Sequence, residues 1–554
     1  MKLKDSYDWV VLGDHPGALL SAGLVARLSL SVLVVPFLPR SPLRISSHGQ
    51  FLDPESNFQL GLAKWERQAG LQADCLLRLG ILPSEEERLR KPGMLPQIVQ
   101  PGRKIRFAQN DADFAWELER EFGGERAPAV ELARALARCE GDVLDYWRKL
   151  PDRLTLVDAK VKSAVDLTPR ALNRFLDAQT RQSGLAKVLR AGGAQDEVAA
   201  HRVGLPARGA DYTVLRNGDA SASETGRDLE TFIHGLLHGL YGQEFMTPQL
   251  PRLFEQMSLG RTGVGVLGGG TAYRELLVRL AKRAGAHFLD GAHCRRIFVD
   301  HGRFKGIQVT NQGNVVGGRG AVLGCGLAPA QSMITQSGTR WLRRLKTPRP
   351  PVGWKYTLGL TVRAEAIAPG VSSRMVWKEE DSPAMEIEIA EPHEYGSTER
   401  ELRLVFLRTI LPFGEETLQP AYLAKLSARM FRKTCELFPF FETHCTRAYP
   451  EFRKGSEDDY REAYPFTQLA EIPENLLIFG PKGLGSESGV EGLFIATGES
   501  FPEWGSMGPA RAALEATAWI AHRSGIAGPF GGVSGPAVLP VLVGPAGASA
   551  PEAP

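Results

Sequence analysis

The stretch WVVLGDHPGALLSAGLV, residues 9–25, carries an apolar strand into a glycine turn and on into a helix of small residues. Val10, Val11 and Leu12 read as a short buried strand. Small and apolar residues follow at helical spacing from Ala18 to Leu28, and Val32 to Val35 form a second fully apolar run. Uninterrupted apolar strands suit a parallel sheet covered on both faces. Strand, turn, helix and strand in this order open a nucleotide-binding βαβ unit. In such a turn one glycine permits the sharp exit from the strand. A second lets backbone approach a pyrophosphate, and a third lets the helix pack closely on the strand. Here the three places hold Gly13, His15 and Ala18. Gly13 meets the first need and Ala18 is a mild change. His15 puts a side chain where phosphate or ribose would lie, and Gly17 adds backbone freedom outside the expected register. An acid should end the second strand and hold a ribose hydroxyl, but Val35 and Pro36 stand there. From this segment alone two readings stand, a dinucleotide site and a βαβ unit that binds nothing.

At 554 residues the chain is long enough for two or three domains. A formal net charge of +3 provides no basic stripe for nucleic acid, so none is expected as a partner. Cys75, Cys139, Cys294, Cys325, Cys435 and Cys445 form no CxxC pair. Their scatter argues against a zinc site or a disulfide scaffold and fits a reducing cytoplasm. Asp5 and Asp8 are foreign to a signal-peptide start, and no apolar run reaches the roughly 18 residues of a spanning helix. A cytoplasmic protein is expected, with peripheral attachment to a membrane left open. His234 and His238 share an i,i+4 spacing but have no neighbouring Glu and no third ligand. They read as partly buried helix residues rather than a metal site. Residues 64–80, 111–150, 170–260 and 420–440 read as helical, and 350–415 as alternating strands. Val309 to Val316 reads as a hairpin around Asn311-Gln312-Gly313. The nearly uncharged Gly/Pro/Ala stretch from Ser524 onward reads as disordered.

The order of segments resembles the FAD-dependent amine oxidase and phytoene desaturase superfamily. The βαβ unit is the first point of resemblance, and HGQFLDP (48–54) is the second. LLRLGI (76–81), followed by LPQIVQPGRKIRF, is the third. GVGVLGGGTAYRELLVRLAKRAGAHFLDGAHCRRI is similar to the family's Gly-Gly turn, helix and adenine-contacting strand, with Cys294 where Val is usual. GLFIATGESFPEWGSMGPARAALEATAWIA (492–521) resembles the C-terminal flavin motif. The resemblance spans residues 7–522.

That resemblance implies an α/β fold: a discontinuous Rossmann-like FAD/NAD(P)-binding domain with a second, α+β substrate domain. The first would collect residues 1–85, 256–330 and 470–523. The second would use 86–255 and 331–469, leaving 524–554 as a tail. It implies FAD as cofactor, held by Gly13, His15, Gly17, Ala18, Arg44, Cys294, Gly498, Glu499, Gly505, Ser506 and Met507. Gly498 and Glu499 match the family's Gly-Asp pair. Gly505, Ser506, Met507 and Gly508 match the turn that opens the last helix, whose backbone N–H groups can face a flavin. Arg44 matches a Gly-Gly-Arg arginine, although Pro42 and Leu43 replace the glycines. The implied activity is hydride transfer to flavin N5 from an apolar, isoprenoid or lipid-like small molecule in a largely apolar tunnel. No catalytic residue is assigned. Departures at His15, at 35–36, at Pro42-Leu43 and at EWG (503–505) keep a second reading open. It is a flavin-free binding protein of the same superfold, as the Rab GDP-dissociation inhibitors are. An NAD(P)-dependent dehydrogenase would leave the C-terminal motif unexplained.

Overall fold

The computed structural model describes residues 6–37, 45–47, 50–52, 58–62, 64–65, 68–91, 95–108, 110–122, 136, 224–242, 256–257, 259–310, 313–336, 345–379, 382–391, 401–452, 458, 460–461, 464–472, 476–480 and 483–526. Arg44, the hairpin tip Asn311-Gln312, most of 123–223 and the tail from 527 lie outside these residues. In chain order the elements that build the site begin with β1 (Ser6–Leu12), α1 (Pro16–Arg27), β2 (Val32–Val35) and α2 (Leu71–Arg78). Next come β3 (Gln97–Gln100), β4 (Arg103–Arg106), α3 (Asp111–Phe122), α4 (Glu224–Tyr241) and α5 (Gly269–Arg283). Then follow β5 (His287–Phe288), β6 (Cys294–Asp300), β7 (Arg303–Val309), β8 (Gly313–Leu323), α6 (Leu327–Met333) and β9 (Ile334–Gln336). The chain continues with β10 (Pro351–Arg363), β11 (Arg374–Trp377), β12 (Met385–Ala390), β13 (Leu402–Pro412) and α7 (Pro420–Leu437). It closes with β14 (Cys445–Tyr449), β15 (Leu477–Phe479), β16 (Leu493–Ile495) and α8 (Gly508–Arg523).

The first sheet runs β5-β2-β1-β8-β7-β6-β9, with β16 also paired to β8. The pairs β5/β2, β2/β1, β1/β8 and β8/β16 are all parallel. This sheet is drawn from distant parts of the chain. Trp9 and Val11 enter the core under α1, while Val10 and Leu12 enter the core on the opposite face. That two-sided burial is why β1 is apolar at every position between them. The long β8 serves twice, as the second strand of the expected β7/β8 hairpin and, further on, beside β1.

The second sheet runs β4-β3-β11-β12-β13-β10-β14, with β15 also on β10. Trp354, Tyr356 and Leu358 of β10 alternate into a core that α7 covers with Leu423, Met430 and Phe431. The other face carries Lys355, Arg374, Glu386, Glu388 and Arg408, and α4 packs along its edge. Gly235 and Gly239 allow that approach: a Cβ on Gly239 would come within 2.8 Å of Val376.

Two element expectations change. Residues 64–80 are not one helix: Lys64–Trp65 and Gln68–Ala69 form a small hairpin, and only Leu71–Arg78 is helical. Gly70 starts that helix so close to Gly61 that a Cβ would meet its backbone at 2.3 Å, which ends the upstream segment there. The strand Leu477–Phe479, expected with the nucleotide-binding segments, instead pairs with β10 of the second sheet.

Candidate functional site

The carboxyl ends of β1, β2 and β8 meet at one crevice, the place where open α/β sheets hold ligands. Gly13 N–H donates to the Val35 carbonyl at 2.8 Å, and Gly324 N–H donates to the Leu12 carbonyl at 2.5 Å. Gly13 has φ +105°, and a Cβ there would sit 2.4 Å from the Gly324 oxygen. Only glycine suits this exit from the strand. Ala18 fills space that Gly324 leaves, since a Cβ on Gly324 would lie 2.2 Å from that of Ala18. Gly17 does more than loosen the turn. A Cβ there would meet the carbonyl oxygens of Ala496 at 2.4 Å and Pro509 at 2.9 Å. Close helix packing therefore falls to Gly17, against β16 and the start of α8.

His15 is the N-cap of α1, with Pro16 at the first helical position. Its Nδ1 accepts from Gly17 N–H at 3.4 Å. Burial lowers its pKa to about 4; Arg274 also lowers it, while Asp14 and the Ala496 carbonyl oppose the shift. The imidazole is therefore neutral at pH 7. Asp14 pairs with Arg274 of α5 at 3.4 Å.

The C-terminal motif reaches the same crevice. Gly498 follows β16, and a Cβ there would touch nothing within 4 Å. Gly505 has φ +53° and packs against Tyr241 of α4. Ser506 Oγ accepts from Leu60 N–H at 2.8 Å, and its carbonyl accepts from Gln72 at 2.7 Å. Met507 is buried at the start of α8, where its sulfur would lie 2.9 Å from a Cβ on Gly61.

One cavity of about 180 Å³ joins these parts, with His15, Pro16, Gly498, Gly505, Ser506 and Pro509 in its wall. The N-terminal ends of α1 and α8 thus open on a single space. Of the other expected site residues, Gly13, Gly17, Ala18 and Met507 lie behind this wall. Glu499 is committed elsewhere: its carboxylate accepts from Leu327 N–H at 2.9 Å, at the start of α6, and from Arg349 N–H at 3.1 Å. Burial raises its pKa, against the pull of those two hydrogen bonds and the Arg349 charge. Cys294 is buried at the start of β6 in the core behind the crevice, and burial pushes its thiol up to about 12. Arg44 lies outside the described residues.

The far wall differs from the apolar tunnel expected. Phe58, Leu240, Leu477, Ile478 and Phe479 line the cavity, but so do Lys355, Arg374 and Glu386 of the second sheet. Burial would raise the Glu386 carboxyl, yet Arg374, Arg408 and Lys355 outweigh it and hold the group well below the usual carboxylate range. These residues escaped the sequence reading because alternation in MEIEIA marks two faces without saying what covers either. His238 is buried beside them, its pKa lowered to about 3 chiefly by burial. No cluster of metal-ligating side chains occurs among the described residues. No helix among them is long and apolar enough to cross a membrane.

No protein-family model matches the sequence, and no curated protein matches it. Among solved structures, an oxidoreductase from Methanosarcina mazei superposes with a TM-score of 0.52 at 13% identity, over 92% of this chain and 99% of that one. Putrescine oxidase bound to putrescine gives 0.48 at 14% identity, over 93% and 99%. Cyclohexylamine oxidase from Brevibacterium oxydans gives 0.45 at 15%, over 94% and 99%. The parallel sheet, the crevice at its carboxyl ends and the superposition on the Methanosarcina protein agree: the chain has the α/β fold of that oxidoreductase, a Rossmann-like domain joined to a second domain.

Proposed function

We propose that this chain is an FAD-dependent oxidoreductase acting on a small molecule with an apolar body. The observation that carries the reading is the convergence of two helix N-termini, at His15–Pro16 and Gly505–Pro509, on one cavity. Helix N-termini attract anionic groups such as a pyrophosphate. The residues present fit a dinucleotide at its phosphate end. Gly13 and Gly17 bring the turn close to the sheet, Gly498 leaves open space, and His15 is neutral and polar where glycine is usual. Gly505, Ser506 and the first turn of α8 would hold the flavin end. Bound there, FAD would supply a two-electron acceptor for hydride. The chain's own part is positioning: Phe58, Leu240, Leu477, Ile478 and Phe479 hold an apolar, lipid-like or isoprenoid body and exclude water. The shared fold with an oxidoreductase supports the reaction class.

A second reading, a flavin-free binding protein, draws on two observations. His15 already takes the Gly17 N–H, and Glu499 serves backbone N–H groups instead of the cavity. The visible spectrum of gently purified protein, followed by denaturation and assay of released FAD, separates the two. Near-stoichiometric FAD is expected. A protein that stays colourless after incubation with excess FAD overturns the enzyme reading and leaves the binding protein.

A further inference from the structure

Arg374 sits in the cavity wall, 2% exposed, on the second sheet. Its Nε donates to Glu386 at 2.9 Å, and its Nη2 donates to the Gly239 carbonyl. The guanidinium lies 4.0 Å from the Phe58 ring centroid. Its Nη1 has no hydrogen-bond partner among the described residues. A buried donor left unsatisfied is costly, more so when charged, so native structures keep few of them without reason. Three bonded or stacked contacts hold the group rigid while the Nη1 amino group stays unused. Lys355 adds a second positive charge to the wall, against the single carboxylate of Glu386. His15 contributes none at neutral pH. The described wall is thus net positive, with two cations against one anion.

We infer that the substrate of the proposed reaction carries an anionic head, a carboxylate or a phosphate, which Arg374 Nη1 and Lys355 receive while its apolar body lies along Phe58 and Leu477–Phe479. This rests on the proposed function for the site and narrows its apolar, lipid-like substrate to an amphipathic acid. A planar guanidinium suits such oxyanions because its N–H groups are directed and it remains charged at all working pH.

Isothermal titration calorimetry of the full-length protein as purified tests it, with octanoate, octyl phosphate, octylamine and 1-octanol as probes. Octanoate or octyl phosphate is expected to bind at least tenfold more tightly than octylamine or octanol; the tighter of the two anions identifies the head. Arg374→Gln should abolish the preference and Lys355→Gln should reduce it several-fold. If Arg374→Gln does not fold, Lys355→Gln carries the test alone. Equal binding of octylamine and octanoate, no binding of any probe, or an unchanged preference in the folded variants overturns the inference. The heat signal needs no flavin, so a colourless protein that still prefers anions would sink the oxidoreductase reading and keep the anion site.

Discussion

Three residues around the crevice carry different loads. Gly17 is pressed between the carbonyls of Ala496 and Pro509. Gly17→Ala should therefore lower stability by about 1–3 kcal/mol, the usual cost of overpacking, read as a fall in the urea midpoint. Gly498 borders open space instead. Gly498→Ala should leave the urea midpoint nearly unchanged yet weaken the FAD binding proposed for this cavity, because its methyl would take up space there. His15 supplies a pH signal. Its folded pKa of about 4 lies below the unfolded value near 6.5. Between those values the unfolded chain binds the extra proton, so stability rises with pH through this window and is lost as pH falls from 6.5 towards 4. His238 acts with the same sign. In urea titrations at pH 7 and pH 4.5, His15→Gln should lose less stability on acidification than the wild type. Equal losses would mean that the imidazole is not held neutral.

At the scale of elements, the link from β16 to α8 is held by a carboxylate that the family pattern would assign to cofactor. Glu499 accepts the Leu327 and Arg349 N–H groups, joining this link to α6 and to the start of the second sheet. Glu499→Ala would leave both donors without their acceptor, a loss of about 2–4 kcal/mol at the usual cost per unsatisfied group. Glu499→Gln keeps an oxygen for one of them and should lose less. Chemical denaturation of the two variants measures the difference. A drop in FAD affinity with stability unchanged in Glu499→Ala would return this residue to the cofactor. Ser506 has a similar bracing part, tying α8 to residue 60 and, through Gln72, to α2.

Across the whole molecule, the polar face of the second sheet is buried where the two domains meet. Glu386 is 2% exposed, Glu388 0% and Arg408 1%, too little for a solvent face. Arg408 pairs with Glu388 at 2.6 Å and lies 4.0 Å from Glu386, beside the Arg374–Glu386 pair. A buried pair resists loss of one partner more than loss of both. Arg408→Leu alone should cost about 3–5 kcal/mol by taking from buried Glu388 its arginine partner. Arg408→Leu with Glu388→Leu should recover much of that, and a double-mutant cycle in urea measures the coupling. Simple additivity of the two changes would show that the pair does not act as a unit.

The sequence by itself determined the parallel βαβ opening, the β7/β8 hairpin, the last helix and the order of segments that implied this fold. These are local matters: runs of Val and Leu, a glycine that must take positive φ at position 13, and a proline at the start of a helix act over a few residues. It also marked Gly498, Gly505 and Ser506 as neighbours of one site, because the order of motifs along a chain carries position. Tertiary structure alone decided the rest. Gly17 became the packing glycine because Ala496 and Pro509, far along the chain, close on it. Glu499 turned from the cavity because Leu327 and Arg349 bring unpaired N–H groups within its reach. Arg374, Lys355 and Glu386 became cavity wall because an alternating strand specifies two unlike faces, and only the packing of α4 and the first domain settles which face water never reaches.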